Sequence, residues 1–170
     1  MAACAVARLC GLDDEAIRQG MRTFAGVLRR FDYRINNRRI VYIDDYAHHP
    51  KELAASIGSA RKLFAGKTIT GIFQPHLYSR TADFYKEFAA ALDALDRVIL
   101  LDIYPARERP IEGVTSALIL QQMTNRNKQL CSNSELLALL PDLETDVLMT
   151  LGAGDIDRLV PEIEKIYNTL

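Results

Sequence analysis

Ile40-Val41-Tyr42-Ile43-Asp44-Asp45-Tyr46-Ala47-His48-His49-Pro50 is the stretch that decides how this chain folds. Its first four residues are apolar, three of them are β-branched, and the run is short, which predicts a strand rather than a buried helix. Pro50 opens a helical pattern that runs to about residue 64, and proline suits a first helical position because its missing N–H would have no partner there. Between strand and helix lie two carboxylates, a phenol and two of the three histidines in the chain. In a parallel α/β sheet, the turn after a strand is where ligands bind.

The same unit recurs outward from this stretch. Strands are expected at 39–44, 67–73, 97–102, 128–131 and 146–151, and helices at 13–23, 50–64, 80–95, 115–124, 133–140 and 155–168. Val98-Ile99-Leu100-Leu101 is continuously apolar, as in strands covered on both faces. Asp13, Ser116 and Ser132 suit caps or first turns, and Gly66 suits a left-handed helix end. Alternating strands and helices imply right-handed crossovers. The expected fold is α/β, a mostly parallel sheet of about five or six strands with helices on both faces.

At 170 residues with a net charge of −1, the chain has no electrostatic bias toward nucleic acid or an anionic membrane. No apolar run approaches the ~18 residues of a membrane span. Cys4, Cys10 and Cys131 are odd in number and widely spaced, which points to reduced thiols and a cytoplasmic setting. Residues 1–28 break the pattern, since they read as one or two helices with no strand before them. They are expected to be a remnant of a preceding domain, joined through Gly26-Val27-Leu28, with the α/β domain proper at 29–170.

Polar clusters follow four of the expected strands. They are Asp45-Tyr46-Ala47-His48-His49, Gln74-Pro75-His76-Leu77-Tyr78-Ser79-Arg80-Thr81, Tyr104-Pro105-Ala106-Arg107-Glu108-Arg109 and Gly152-Ala153-Gly154-Asp155. If the strands are parallel, all four clusters share one sheet edge, and every histidine lies there. Adjacent histidines in an extended turn point in different directions, so a metal shared by His48 and His49 is disfavoured and no metal ligand is assigned. Arg80 lies one turn into a helix, where it could hold a carboxylate or phosphate or pair with Asp83 or Glu87. Gly152-Ala153-Gly154 lacks the dinucleotide fingerprint and suits a tight turn instead. A phosphate-binding loop is absent from the sequence.

Asp44-Asp45-Tyr46-Ala47-His48-His49-Pro50, Gln74-Pro75-His76-Leu77-Tyr78-Ser79-Arg80-Thr81 and Asp102-Ile103-Tyr104-Pro105-Ala106-Arg107-Glu108, with Arg29-Arg30-Phe31-Asp32, resemble the C-terminal, Rossmann-like domain of the Mur ligases, in order and over essentially the whole chain. Among them the branch joining L-alanine to UDP-N-acetylmuramate is nearest. The resemblance implies ATP-dependent amide formation through an acyl phosphate, shared with N-terminal and central domains of the same protein. The central domain would carry the phosphate loop and most magnesium contacts. Residue by residue, it implies Arg30 near the ATP phosphates, Asp45 at the nucleotide ribose, and Tyr46 and His48 lining the nucleotide and amino-acid side. His76 and Arg80 would hold the alanine carboxylate. No nucleophile is implied. Leu77 departs from the pattern, standing where many relatives have a second arginine. The recycling branch, which attaches a peptide, shares the Asp-Asp-Tyr-x-His-His-Pro type of motif, but Tyr104-Pro105-Ala106-Arg107-Glu108 favours the alanine branch. A non-catalytic nucleotide-binding module and a metal-dependent hydrolase are the readings from other classes.

Overall fold

Strand β6 (Val147–Leu151), buried at every position, lies at the centre of the sheet. The computed structural model describes residues 2–24 and 26–169; Met1, Ala25 and Leu170, which fall within the expected domain ranges 1–28 and 29–170, lie outside the described residues. Around β6 run β1 (Asp32–Asn36), β2 (Val41–Asp45), β3 (Ile69–Phe73), β4 (Arg97–Leu100) and β5 (Lys128–Leu130), in the order β1-β2-β6-β3-β4-β5. All neighbours are parallel except β1, which pairs antiparallel with β2. The expected mostly parallel sheet is therefore present, with six strands.

Alternation along the strands divides the core in two. Ile43, Ile69, Phe73, Val98, Leu100 and Met149 pack in one cluster with Leu53 and Ile57 of α3 (Pro50–Leu63) and Phe88 and Leu92 of α4 (Tyr78–Leu92). Ile119 of α5 (Ser116–Gln122) joins this face. Tyr42, Ile72, Ile99 and Leu148 face the other way, toward Leu136 of α6 (Asn133–Leu139) and Ile163 of α7 (Val160–Thr169). A period of two, with both phases apolar, is what a doubly covered sheet requires.

Strand β1 escaped the sequence reading. Asp32-Tyr33-Arg34-Ile35-Asn36 is polar, and only Ile35 is buried, because β1 is an edge strand with one covered face. The last helix also starts later than expected. Asp155–Leu159 form a 3-10 turn and the α-helix follows from Val160, which places Pro161 in its first turn, where proline is tolerated. Helices α1 (Ala2–Leu9) and α2 (Asp14–Thr23) bury no residue, and Leu9, Phe24 and Leu28 are exposed. Among the described residues, no helix is long and apolar enough to cross a membrane.

Gly152-Ala153-Gly154 is the tight turn the sequence suggested. Gly152 has φ +141°, and a Cβ there would lie 2.7 Å from the Gln74 carbonyl oxygen. A Cβ on Gly154 would strike the Gln74 side chain and the Tyr104 ring. The absent side chains let the end of β6 close against the end of β3. Replacing Gly152 with Ala combines a strained φ with a backbone clash, and should cost about 2–3 kcal/mol of stability. An unchanged urea midpoint for the folded chain would refute this account.

Candidate active-site edge

The parallel register brings the carboxyl ends of four strands level. Asp45 of β2 pairs with Leu151 of β6, which pairs with Phe73 of β3, which pairs with Leu100 of β4. The four polar clusters leave the sheet from this line.

The turn after β2 is set by a reciprocal cap on α3. The backbone N–H groups of His48 and His49 donate to Glu52 Oε2 (3.0 and 3.1 Å), and Lys51 N–H donates to His49 Nδ1 (3.4 Å). The two imidazoles diverge, as the sequence suggested. His49 rests on Phe84 (centroids 5.1 Å apart), and His48 stands between Tyr46 (5.1 Å) and His76 (6.1 Å). His48 Nδ1 lies 2.9 Å from the Tyr46 carbonyl oxygen, which can only accept, so the neutral ring carries its proton on Nδ1 and keeps Nε2 as an acceptor.

His76 lies in the turn after β3. It forms a parallel bridge with Tyr104, and the two rings stack at 5.7 Å with 20° between their planes. Arg80 Nη1 lies 3.3 Å from His76 Nδ1. A guanidinium only donates, so Nδ1 accepts and the neutral ring presents an Nε2–H donor. His48 and His76 are thus opposite tautomers. Burial, then the Arg80 charge, then His48 hold the His76 pKa below its ordinary value. Among the described residues, Arg80 makes no ion pair with Asp83 or Glu87. Leu77 precedes α4 with φ 73° and ψ 136° and offers no side-chain cap. Such a conformation for a branched side chain costs of order 1–3 kcal/mol. The amide of Ser79 donates instead to Glu108 Oε2 (3.0 Å), so an internal carboxylate already occupies the helix start that the sequence offered to an anion.

A residue given no role in the sequence reading, Arg29, holds the other side of the edge. Its Nε donates to Asp44 Oδ2 (3.2 Å), its Nη2 to the Gly152 carbonyl (2.7 Å) and its Nη1 to Asp157 Oδ2 (3.3 Å). The guanidinium also lies 5.0 Å from the Tyr46 ring centroid, a cation–π contact. Asp44 is 2% exposed. Its other oxygen accepts from Thr150 Oγ1 (2.7 Å), which lies 3.1 Å from the Tyr42 hydroxyl. Burial raises the Asp44 pKa, while the Thr150 bond and the Arg29 charge oppose that rise. Arg30, the arginine the resemblance singled out, is exposed and makes no ion pair among the described residues. Only the doubled arginine before Phe31 hinted at this junction, and it did not say which of the two is built in. Asp45 Oδ1 accepts from Ala47 N–H (2.9 Å), and Oδ2 accepts from Phe31 N–H (3.1 Å) and Ser56 Oγ (2.8 Å). Its carboxylate therefore has limited capacity for anything else. Tyr46 is exposed. Among the described residues, no three His, Cys, Asp or Glu side chains converge as a metal site would require.

Two measurements test this geometry. The first is the titration of the His76 ring followed by NMR, which should fall below the ordinary ~6.5 of histidine. Because the folded pKa is lowered, the unfolded chain binds more protons between the two values. Stability from this group is complete above the unfolded pKa and is lost as pH falls toward the folded one. A His76 titration at or above the ordinary value would contradict the contact with Arg80. The second is Arg29→Ala, which leaves Asp44 buried without its cation and should cost about 3 kcal/mol near neutral pH. The loss should shrink as pH falls, because protonated Asp44 needs no cation; a loss independent of pH would exclude this origin.

Comparison with known proteins converges on one family. The family model described as Mur ligase, glutamate ligase domain, matches residues 29–155. A UDP-N-acetylmuramate–L-alanine ligase of Phocaeicola vulgatus is 53% identical over 169 residues, covering 99% of this chain and 37% of the relative. One from Porphyromonas gingivalis is 55% identical over 171 residues, covering 100% and 38%. The crystal structure of UDP-N-acetylmuramate–alanine ligase from Thermotoga maritima superposes with a TM-score of 0.76 at 25% identity, covering 97% of this chain and 36% of that one. The chain thus spans a little over a third of the length of these relatives. It belongs to the Mur ligase family and carries the family's glutamate ligase domain over residues 29–155.

Proposed function

We propose that this chain forms the C-terminal portion of a cytoplasmic ligase that joins L-alanine to UDP-N-acetylmuramate with consumption of ATP. The observation that carries this reading is the pair of opposite histidine tautomers beside Arg80. An amino acid is a zwitterion. Its carboxylate needs donors, which Arg80 and the His76 Nε2–H supply, and its ammonium needs an acceptor, which the His48 Nε2 lone pair supplies. Both histidines, drawn from different turns, lie with centroids 6.1 Å apart.

The nucleotide side is assigned to Tyr46, Arg30 and Asp45. Tyr46 offers an exposed ring face backed by Arg29, and Arg30, exposed and without an ion pair among the described residues, offers its charge for phosphates. Asp45 is the weakest member of this set, since three internal donors already hold it. ATP supplies the activation of the UDP-N-acetylmuramate carboxylate. Magnesium is assigned mainly to the central domain. The role of this chain is then positioning and charge neutralisation, which is how phosphoryl-transfer sites generally work.

We further propose that residues 1–28 belong to the preceding domain. The family model begins at Arg29, and Val6, Leu9, Met21, Phe24 and Leu28 are exposed apolar residues that another domain would cover. A chimera tests the whole reading. This chain replaces the matching 171 residues of the Porphyromonas gingivalis enzyme, and L-alanine-dependent release of ADP is measured. Turnover is expected, and Arg80→Ala should raise the KM for L-alanine by about 100-fold, the loss of a charge-assisted pair, with little change in the KM for ATP. A chimera that folds but shows no L-alanine dependence overturns the proposal.

A further inference from the structure

We propose that Glu108 is a positioning residue that holds the His76–Arg80 pair in its binding geometry by closing the Tyr104–Glu108 segment onto the start of helix α4. The inference rests on the amino-acid-binding role proposed above for that pair. Three observations support it.

First, α4 begins without a cap of its own. Leu77 occupies the cap position and has no side-chain acceptor. Glu108 supplies what is missing from the neighbouring turn, with one carboxylate oxygen on the Ser79 amide and the other on the Ser79 hydroxyl. Those bonds hold the carboxyl below the usual carboxylate range, so it is ionised at neutral pH.

Second, the turn being clamped is strained. Leu77 at φ 73° persists only because its surroundings fix it. Its N–H donates to the Tyr104 carbonyl (2.9 Å), and Tyr104 N–H donates to the Pro75 carbonyl (2.9 Å). Thr81 Oγ1 holds the Leu77 carbonyl (2.9 Å). The clamping segment is strained too, with Ala106 at φ 51° and Glu108 N–H bonded to the Pro105 carbonyl (2.9 Å). Glu108 is the side chain that ties the far end of this segment back to the helix.

Third, the clamped residues are the ones assigned above to the amino acid. His76 lies one residue before Leu77, Arg80 one residue after Ser79, and their contact sets the His76 tautomer. An ionised Glu108 also fills the helix start, so an incoming carboxylate is directed to Arg80 and His76 rather than to free amides.

The test uses Glu108→Ala, Glu108→Gln and Ser79→Ala, with Glu112→Gln as a control for the loss of one negative charge four residues farther along the chain. In the chimera, Glu108→Ala, which removes both bonds to Ser79, should raise the KM for L-alanine about tenfold, with the KM for ATP unchanged. Glu108→Gln, which retains an acceptor for Ser79, should fall between, and Ser79→Ala should follow it. In this chain alone, ¹⁵N spectra should show His76 as the Nε2–H tautomer, and Glu108→Ala should convert it to a mixture. A parallel rise in both KM values, or a KM for L-alanine and a His76 tautomer that both ignore Glu108→Ala, overturns the proposal. If Glu108→Ala does not fold, Glu108→Gln and Ser79→Ala decide by the same readings. A chimera without L-alanine-dependent turnover refutes the ligase reading, and the tautomer comparison then decides the role of Glu108 by itself.

Discussion

The structure depends on the parallel backbone pairing of β2, β6, β3 and β4. Parallel hydrogen bonds are evenly spaced and leave no freedom of direction, so each strand must deliver its following turn to the same edge. Because the register also aligns Asp45, Leu151, Phe73 and Leu100, the turns emerge level as well as on one side. Residues as far apart in sequence as Arg29 and Asp157 therefore come within hydrogen-bond reach. The buried strands make this line rigid. Val147–Leu151 and Ile69–Phe73 are covered on both faces, so neither can slip without exposing apolar surface.

Backbone strain gathers at this edge and in the junction leading to it. Among the described residues, the non-glycine residues with positive φ are Arg29, Phe31, Leu77 and Ala106. Each has neighbours that fix it. The Arg29 carbonyl accepts from Tyr46 N–H (2.7 Å), Phe31 N–H reaches Asp45, and Leu77 and Ala106 lie in the segments joined through Tyr104 and Glu108. Strain of this kind persists where the surrounding contacts over-determine the backbone, and it commonly accompanies binding sites. Here the contacts that fix it come from the groups that line the candidate site, so stability and the geometry of that edge are coupled.

Charge follows the same logic. Asp44 is buried deeply enough that its ionised form is tolerable only with Thr150 and Arg29 beside it. That requirement holds Arg29 in place and makes it the backing for the Tyr46 ring. Asp45, one residue on, is held by backbone and Ser56 donors rather than left open. The adjacent carboxylates look alike in sequence and do different things, because successive side chains on a strand face opposite layers.

Periodicity and composition were enough to identify the central strands, most helices, the capping roles of Pro50 and Ser132, the tight turn at Gly152 and the shared edge. These features are local, or follow from local patterns through the rule for parallel sheets. The placement of His48, His76, Arg80 and Tyr46 in strand-to-helix turns at that edge was also legible, since their types and spacing stand out. Strand β1 was not, because an edge strand buries one face and its polar sequence leaves too weak an alternation. The choice of Arg29 over Arg30 for the buried network, the internal use of Asp45 and the capping of α4 by Glu108 were decided only by the tertiary structure. Each involves at least one partner distant in sequence, such as Phe31 for Asp45, 14 residues away, or Ser79 for Glu108, 29 residues away. Hydrogen bonds and ion pairs of that reach are set by where the sheet delivers its turns, which a local pattern of side chains does not encode.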